Sequence, residues 1–316
     1  QGLVLAAGQL LTGAPWIGLF LSTALMSAAL CWMFQGWLPS RWALVGGLIS
    51  VIRIATFSYW GNSYWGGAIV ATGGALVLGA LPRLRTKLQW GDAIILALGI
   101  MVLANSRPYE GFLLCVPVVV MLGIALVKHR HRIAKHCLIG SAASFLLVIA
   151  IGCLLMGFYF WRVTGNPLRM PYQVNREAYQ MANALLWQQP RSTLQHRHKQ
   201  MHDYYTIWLA EQIKVRSSLT AWFRSAIREI TAAWLFYLGP ILTAALIGFP
   251  RAVRDKRIRP LLVVGGVALG GILAESWFFP HYAAPFTGLI YVLLLQSMRH
   301  LRFYRVRNTC IGRSLV

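Results

Sequence analysis

The chain of 316 residues is 57% hydrophobic and only 12% charged, yet it carries a formal net charge of +22. A soluble domain usually holds about twice that charged fraction, and several apolar runs of about 16–25 residues match the length that crosses a bilayer core. These values exclude an ordinary soluble domain and predict an all-α, polytopic transmembrane protein.

The apolar segments predict about nine membrane spans. The first segment, Leu3–Leu11, is too short to cross a membrane, so we interpret it as an interfacial or re-entrant helix. The predicted spans follow in chain order: Trp16–Phe34, Trp42–Tyr59, Ala68–Leu81, Asp92–Ala104, Phe112–Val127, Cys137–Trp161, Ile230–Phe249, Pro260–Phe278 and Ala283–Met298. Small residues along Ala68–Leu81, including Gly73 and Gly74, predict close helix packing rather than a phosphate-binding loop.

The basic residues are concentrated in alternate connections between these spans. Four connections and the C-terminal tail carry 18 of the 30 lysines and arginines: Gln35–Arg41, Pro82–Gly91, Lys128–His136, Pro250–Arg259 and the residues after Met298. The positive-inside rule assigns such connections, and the C-terminus with them, to the cytoplasm. Because topology accounts for most of the charge, no nucleic-acid partner is predicted.

This topology divides the chain into three regions. Residues 1–161 are predicted as N-terminal transmembrane helices, residues 162–229 as one large extracytoplasmic loop with interfacial helices, and residues 230–316 as C-terminal transmembrane helices with a basic cytoplasmic tail. Three polar, aromatic-rich turns share the outer side with the loop: Trp60–Gly67, Asn105–Gly111 and Glu275–Pro285. We therefore expect the function at this outer side.

The turn Asn105–Gly111 lies between two apolar segments and contains Arg107, Tyr109 and Glu110. Ionisable groups at a membrane boundary are costly unless they meet water, a partner or a ligand. An arginine fork suits phosphate or carboxylate, so Arg107 and Tyr109 are candidate substrate contacts and Glu110 is a candidate catalytic carboxylate. The alternative is that Arg107 pairs only with Glu110 or with lipid headgroups.

The turn Glu275–Pro285 brings a carboxylate, an imidazole and a phenol close together in sequence. Glu275 and His281 have the groups needed for acid–base chemistry, so Glu275 is the second candidate catalytic residue. His281 and Tyr282 are candidate substrate contacts. The alternatives are a structural hydrogen bond for His281 and interfacial anchoring for Tyr282.

Aromatic and polar residues elsewhere on the outer side complete the candidate set. Asn62, Tyr64 and Trp65 lie in a glycine-flanked turn and suit sugar recognition, because ring faces stack on a sugar while an amide binds its hydroxyls. A membrane aromatic belt is the alternative. Arg169 and Tyr172, in the outer loop, are further candidate substrate contacts.

Two other polar features have plain interpretations. Arg53, inside its predicted span, is expected to reach toward the outer interface, with a buried phosphate contact as the alternative. His196, His198, His202 and Asp203 are close in sequence. No further acidic or cysteine ligand completes the set, so no metal site is predicted.

Several motifs resemble those of the GT-C type membrane glycosyltransferases, and more closely those of an uncharacterised bacterial group of homologues. They are Asn62-Ser63-Tyr64-Trp65-Gly66-Gly67, Ser106-Arg107-Pro108-Tyr109-Glu110-Gly111, Gly165-Asn166-Pro167 and His281-Tyr282-Ala283-Ala284-Pro285. The resemblance covers nearly the whole chain. It implies a bacterial inner-membrane location and an acidic catalytic residue in an outer loop upstream of Gln1, so we expect an N-terminal part to precede this chain.

The resemblance also implies a reaction. A sugar would pass from a polyprenyl-phosphate donor to an extracytoplasmic acceptor, with Arg107, Glu110 and His281 contacting the donor. The donor is a substrate, so no cofactor is expected, and the predicted partners are membrane lipids, the donor and other membrane proteins. A lipid-linked substrate transporter and a non-catalytic subunit of a larger membrane complex are the alternative functions.

Overall fold

The computed structural model describes residues 1–179, 185, 188, 196–209, 218–276 and 278–304. The described chain is 83% helical and contains no strands. The prediction of an all-α fold is therefore confirmed.

The N-terminal half forms seven α-helices. They are α1 (Gly2–Thr12), α2 (Pro15–Trp37), α3 (Ser40–Ser50), α4 (Gly67–Thr86), α5 (Trp90–Ser106), α6 (Pro108–His129) and α7 (Lys135–Thr164). A π-helical turn, Val51–Thr56, continues α3, and a short 3-10 turn, Arg130–Arg132, follows α6.

The C-terminal half contains shorter and more irregular elements. They are α8 (Pro171–Tyr179), α9 (Lys199–His202) with the π-helical turn Asp203–Trp208, α10 (Leu219–Tyr237), α11 (Gly239–Thr243), the 3-10 segment Ala244–Gly248, α12 (Phe249–Ala252), α13 (Arg259–Leu273), the 3-10 segment Pro280–Phe286 and α14 (Thr287–Leu301). The sequence predicts two amphipathic helices in the loop, Glu177–Ala184 and Met201–Leu219, and both lie partly outside the described residues. Helix α10 begins well before Glu229, the predicted end of the loop.

A proline divides the apolar stretch that contains α5 and α6. Pro108 is the first residue of α6, a position that suits proline because its missing N–H would have no intrahelical partner there. The preceding residue, Arg107, has an extended backbone with φ −144°, as steric contact with a following proline favours. The charged turn therefore forms a sharp junction between two apolar helices.

Four of the described helices are long and apolar enough to cross a membrane: α2, α4, α6 and α7. The helices Leu219–Tyr237 and Gly239–Ala252 together could supply a fifth span. Helices α5 and α13 are apolar but shorter. Helices that could cross a membrane are thus present, whereas the number nine and the single outer loop stay predictions.

The segment Ile230–Phe249, predicted as one continuous span, is broken in the structure. The two helices that contain it meet at an angle of 97°, and Gly239 adopts a φ of +63° at the junction, a conformation that glycine tolerates. Arg53 donates a hydrogen bond from Nη2 to the carbonyl oxygen of Leu235, in the last turn of α10. Arg53 thus contacts the C-terminus of a helix, whose carbonyl groups favour a cation, and its reach toward the outer interface stays a prediction.

Helix α4 is the central helix of the bundle. It is largely buried and packs against α2, α5 and the 3-10 segment Pro280–Phe286. A Cβ added at Gly74 would lie only 1.9 Å from the carbonyl oxygen of Pro285, and one added at Gly79 would lie 2.3 Å from the Trp32 ring. The predicted role of the small residues in close packing is confirmed.

Substitution of Gly74 tests this contact. Gly74→Ala is expected to cost about 1–3 kcal/mol of stability, because the methyl group has no space against the backbone of Pro285. Thermal unfolding in detergent measures the loss. The matched control is Gly123→Ala in α6, where an added Cβ meets no atom within 4 Å and alanine is the better helix former. Equal melting temperatures for the two variants would contradict the packing argument.

Candidate functional site

Three connections meet at one end of the bundle. They are the turn after the π-helical segment, the α5–α6 junction and the connection between α13 and α14, and they bring together Tyr59, Trp65, Arg107, Glu110, Glu275, Phe279, His281 and Tyr282. We call this set the outer-turn cluster. The three connections are far apart in sequence, so the packing of the helices brings these residues together.

Arg107 is the charged centre of the outer-turn cluster. Its Nη1 lies 3.2 Å from Oε1 of Glu110, and the two side chains are 26% and 5% exposed. Glu110 is in the first turn of α6, where the helix dipole favours a negative charge. The guanidinium carbon of Arg107 also lies 3.9 Å from the centre of the Tyr282 ring. A carboxylate, a guanidinium cation and an aromatic ring face are thus held close together.

His281 is buried among aromatic rings. Its Nδ1 lies 2.9 Å from the hydroxyl oxygen of Tyr59, and its ring centre lies 4.6 Å from that of Trp65 and 5.6 Å from that of Phe279. Burial, together with the positive charge of Arg107, lowers the pKa of His281 to about 3. The imidazole is therefore neutral and able to act as a hydrogen-bonding group rather than a cation.

The end of α13 and the connection that follows it contact two other parts of the chain. The Tyr109 hydroxyl, in α6, donates to the carbonyl oxygen of Gly271 at 3.0 Å, and the backbone of buried Glu275 pairs with Leu185 in an antiparallel bridge. Burial raises the pKa of Tyr282 to about 12; Arg107 opposes this shift, whereas Glu275 adds to it. Glu275 is thus close enough to influence the same ring that Arg107 covers.

The structure gathers most of the predicted candidates but leaves others apart. Arg107, Glu110, Glu275, His281, Tyr282 and Trp65 belong to the outer-turn cluster, and Tyr109 adjoins it. Asn62 and Tyr64 lie in the same turn as Trp65 with exposed side chains. A role in substrate binding or catalysis stays a prediction for each of them.

The two loop candidates make contacts within the loop itself. Arg169 forms an ion pair with Glu177, and the ring of Tyr172 lies beside the guanidinium of Arg176 at 5.6 Å. Both contacts are between residues of the same short stretch. Among the described residues, no hydrogen bond, ion pair or ring contact is seen between this pair and the outer-turn cluster.

Sequence reasoning missed Tyr59 and Phe279. Tyr59 is the last residue of the predicted span Trp42–Tyr59, and Phe279 lies in the turn Glu275–Pro285 without a predicted role, yet both contact His281. The sequence places both rings at a polar turn, a position that is typical of binding sites and also of membrane anchors. Only the fold distinguishes a ring that faces the cluster from one that faces lipid.

The histidine-rich stretch of the loop forms a separate aromatic group. His196 stacks on Tyr205 with ring centres 5.4 Å apart, and Nδ1 of His202 lies 3.5 Å from the carboxylate of Asp203. Within the described ranges no group of three histidine, cysteine, aspartate or glutamate side chains is arranged to hold a metal ion.

Comparison with known proteins gives no relative. No protein-family model, curated protein or solved structure matches this chain. The resemblance to GT-C type glycosyltransferases therefore rests on the motifs quoted above and stays a prediction.

The buried imidazole makes stability sensitive to acid. The unfolded chain protonates His281 near pH 6.5 and the folded chain only near pH 3, so folding stability is lost as the pH falls below 6.5, by up to about 1.4 kcal/mol per pH unit. His281→Gln is expected to flatten the decline in melting temperature between pH 7 and pH 4.5. The exposed His198→Gln serves as the control, and an unchanged slope in His281→Gln would refute the assignment.

Proposed function

We propose that the chain is a membrane glycosyltransferase that moves a sugar from a polyprenyl-phosphate donor to an extracytoplasmic acceptor in the bacterial inner membrane. The observation that supports this most directly is the Arg107 guanidinium, held between a buried carboxylate and the face of Tyr282 beside a wall of aromatic rings. The apolar helices are compatible with a membrane location.

Arg107 has the chemistry to hold the donor phosphate. A guanidinium carries five N–H donors in a planar fork, and the bond from Nη1 to Glu110 fixes its orientation. The side chain is partly exposed, whereas Glu110 is buried, so the fork faces outward from the helix end. We therefore assign phosphate binding to Arg107 and positioning of Arg107 to Glu110.

Trp65 and His281 supply a surface for a sugar. Half of Trp65 is exposed, while its ring packs against buried His281. An exposed indole face can stack on the apolar face of a sugar ring, and a neutral imidazole can bind a hydroxyl group. This pairing of a ring face with one polar atom is typical of small-molecule sites.

The reaction assigned to this arrangement is a displacement at the anomeric carbon. The acceptor oxygen forms a bond to that carbon, the carbon–oxygen bond to the phosphate breaks, and polyprenyl phosphate leaves with the electron pair. Arg107 stabilises the charge that develops on the leaving phosphate. The acceptor proton passes to a carboxylate, and we assign this step to Glu275, which lies beside the Tyr282 ring in the outer-turn cluster.

Binding of a polyprenyl phosphate to the protein in nanodiscs tests the proposal. Arg107→Ala is expected to weaken binding by about 1.5–3 kcal/mol, the usual contribution of a charge-assisted contact. The double variant Arg107→Met/Glu110→Gln should show the same loss without an unpaired buried carboxylate, which guards against misfolding.

Arg162→Ala is the matched control, because Arg162 is an exposed arginine in the last turn of α7 and is not a candidate substrate contact. A polyprenol without phosphate serves as the control ligand. The main support for a transferase would be lost if wild type and Arg107→Ala bound polyprenyl phosphate equally well. It would also be lost if the wild type bound polyprenyl phosphate and polyprenol equally well.

A lipid-linked substrate transporter is the second candidate function. Helices broken within the membrane are typical of transporter substrate sites, and the 97° bend after Tyr237 with Arg53 at the adjoining helix end is such a break. Arg53→Gln distinguishes a transporter from a transferase. If the substrate binds at the helix break, this variant should abolish transport of a lipid-linked sugar across the vesicle membrane. The transferase proposal instead predicts loss of sugar transfer in Glu275→Gln.

A further inference from the structure

Two cavities adjoin at the end of the bundle opposite the outer-turn cluster. The first has a volume of about 800 Å³ and the second about 840 Å³. Helices α4 and α6 run from the cluster to these cavities, with Gly67 and Pro108 at one end and Thr86 and His129 at the other. Twenty residues of α-helix span about 30 Å, so the cavities are remote from the proposed transferase site.

The first cavity is basic. It is lined by residues of four connections that sequence reasoning assigned to one side of the membrane, among them Pro39, Arg85, Lys128 and Arg257. The side chains of Arg85, Lys128 and Arg257 are exposed, and within the described chain they form no ion pair. Three cations around one space attract an anion, and no acidic residue of the described chain lines the cavity.

The second cavity is apolar. It lies between α5, α6 and α7 and is lined by aliphatic and aromatic side chains such as Leu96, Val119, Leu122 and Phe145. Buried Ser141 also lines it, and the hydroxyl of this residue has no hydrogen-bond partner in the described part of the chain. A buried polar group without a partner is costly, so a ligand that accepts a hydrogen bond would be stabilised here.

Among the described residues, four line both cavities: Arg85, Thr86, Ala125 and His129. The basic space and the apolar space therefore adjoin along these residues. A free phosphate would use only the basic part, whereas a phospholipid offers an anionic group, ester carbonyls and an acyl chain in the matching order. Basic pockets between transmembrane helices are known to bind anionic lipid headgroups.

We propose that these two cavities form one binding site for a glycerophospholipid with a net negative headgroup. The phosphate lies against Arg85 and Lys128, with Arg257 across the cavity, and an acyl chain occupies the apolar space beside α6 and α7. The proposal is independent of the transferase function, because it involves none of the residues in the outer-turn cluster.

Native mass spectrometry of the purified protein with defined lipids tests the headgroup part. Phosphatidylglycerol is expected to bind at least about fivefold more tightly than phosphatidylcholine with the same acyl chains, because the cations favour the net negative headgroup. Arg85→Ala/Lys128→Ala should remove this preference. Arg254→Ala/Lys256→Ala removes two exposed cations of a basic connection that do not line either cavity, so it should retain the preference.

A second pair of variants tests the apolar part. Gly123 lines the second cavity and has open space around it, so Gly123→Trp should fill the acyl-chain space and weaken phosphatidylglycerol binding about tenfold or more, given the area of acyl chain that it displaces. Gly140 in α7 has similar open space and lines neither cavity. Gly140→Trp should therefore leave lipid binding unchanged.

Glycerol phosphate, which lacks acyl chains, separates a lipid from a simple anion. If glycerol phosphate displaces phosphatidylglycerol at similar concentration, or if Gly123→Trp binds lipid like wild type, the lipid proposal is wrong and the basic cavity is an anion site. If both lipids bind equally, the charge argument is wrong as well.

Discussion

The close contact between Gly74 in α4 and the backbone of Pro285 determines where the residues of the outer-turn cluster lie. Pro285 belongs to the 3-10 segment that also carries His281 and Tyr282, so the position of this segment against α4 sets the position of both side chains. A larger residue at 74 has no space. The packing of one central helix thus controls the geometry of the whole site, although α4 contributes no charged group to it.

The outer-turn cluster concentrates ionisable groups at the ends of apolar helices, where they are costly. Glu110, Glu275 and His281 are all buried, and burial of a charge requires a partner or neutralisation. Glu110 has both Arg107 and the N-terminus of α6, and His281 stays neutral at physiological pH. A protein that needed only stability would fill this space with apolar side chains, so charged groups at this position are candidates for a functional role.

Much of this arrangement follows from local sequence patterns. The helices follow from apolar runs, the α5–α6 junction follows from Pro108, and the alternation of basic and aromatic turns predicts that Arg107 and His281 share one end of the bundle. The partner of Arg53 could not be predicted, because it depends on the break at Gly239, which a mean hydropathy over the whole segment does not register. The pairing of Arg169 with Glu177, rather than with the outer-turn cluster, could not be predicted either. Loop length alone does not determine where a loop side chain lies.

Helix α7 contains an apolar stretch that is longer than a membrane span requires. The stretch, Cys137–Trp161, is about 38 Å long, beyond the ~30 Å of a hydrocarbon core, and among the described residues it is almost entirely unburied. A helix with such a mismatch tilts, or the bilayer thickens around it. Leu185, beyond the end of α7, pairs with Glu275, so we expect a change in the tilt of α7 to alter the surroundings of this carboxylate.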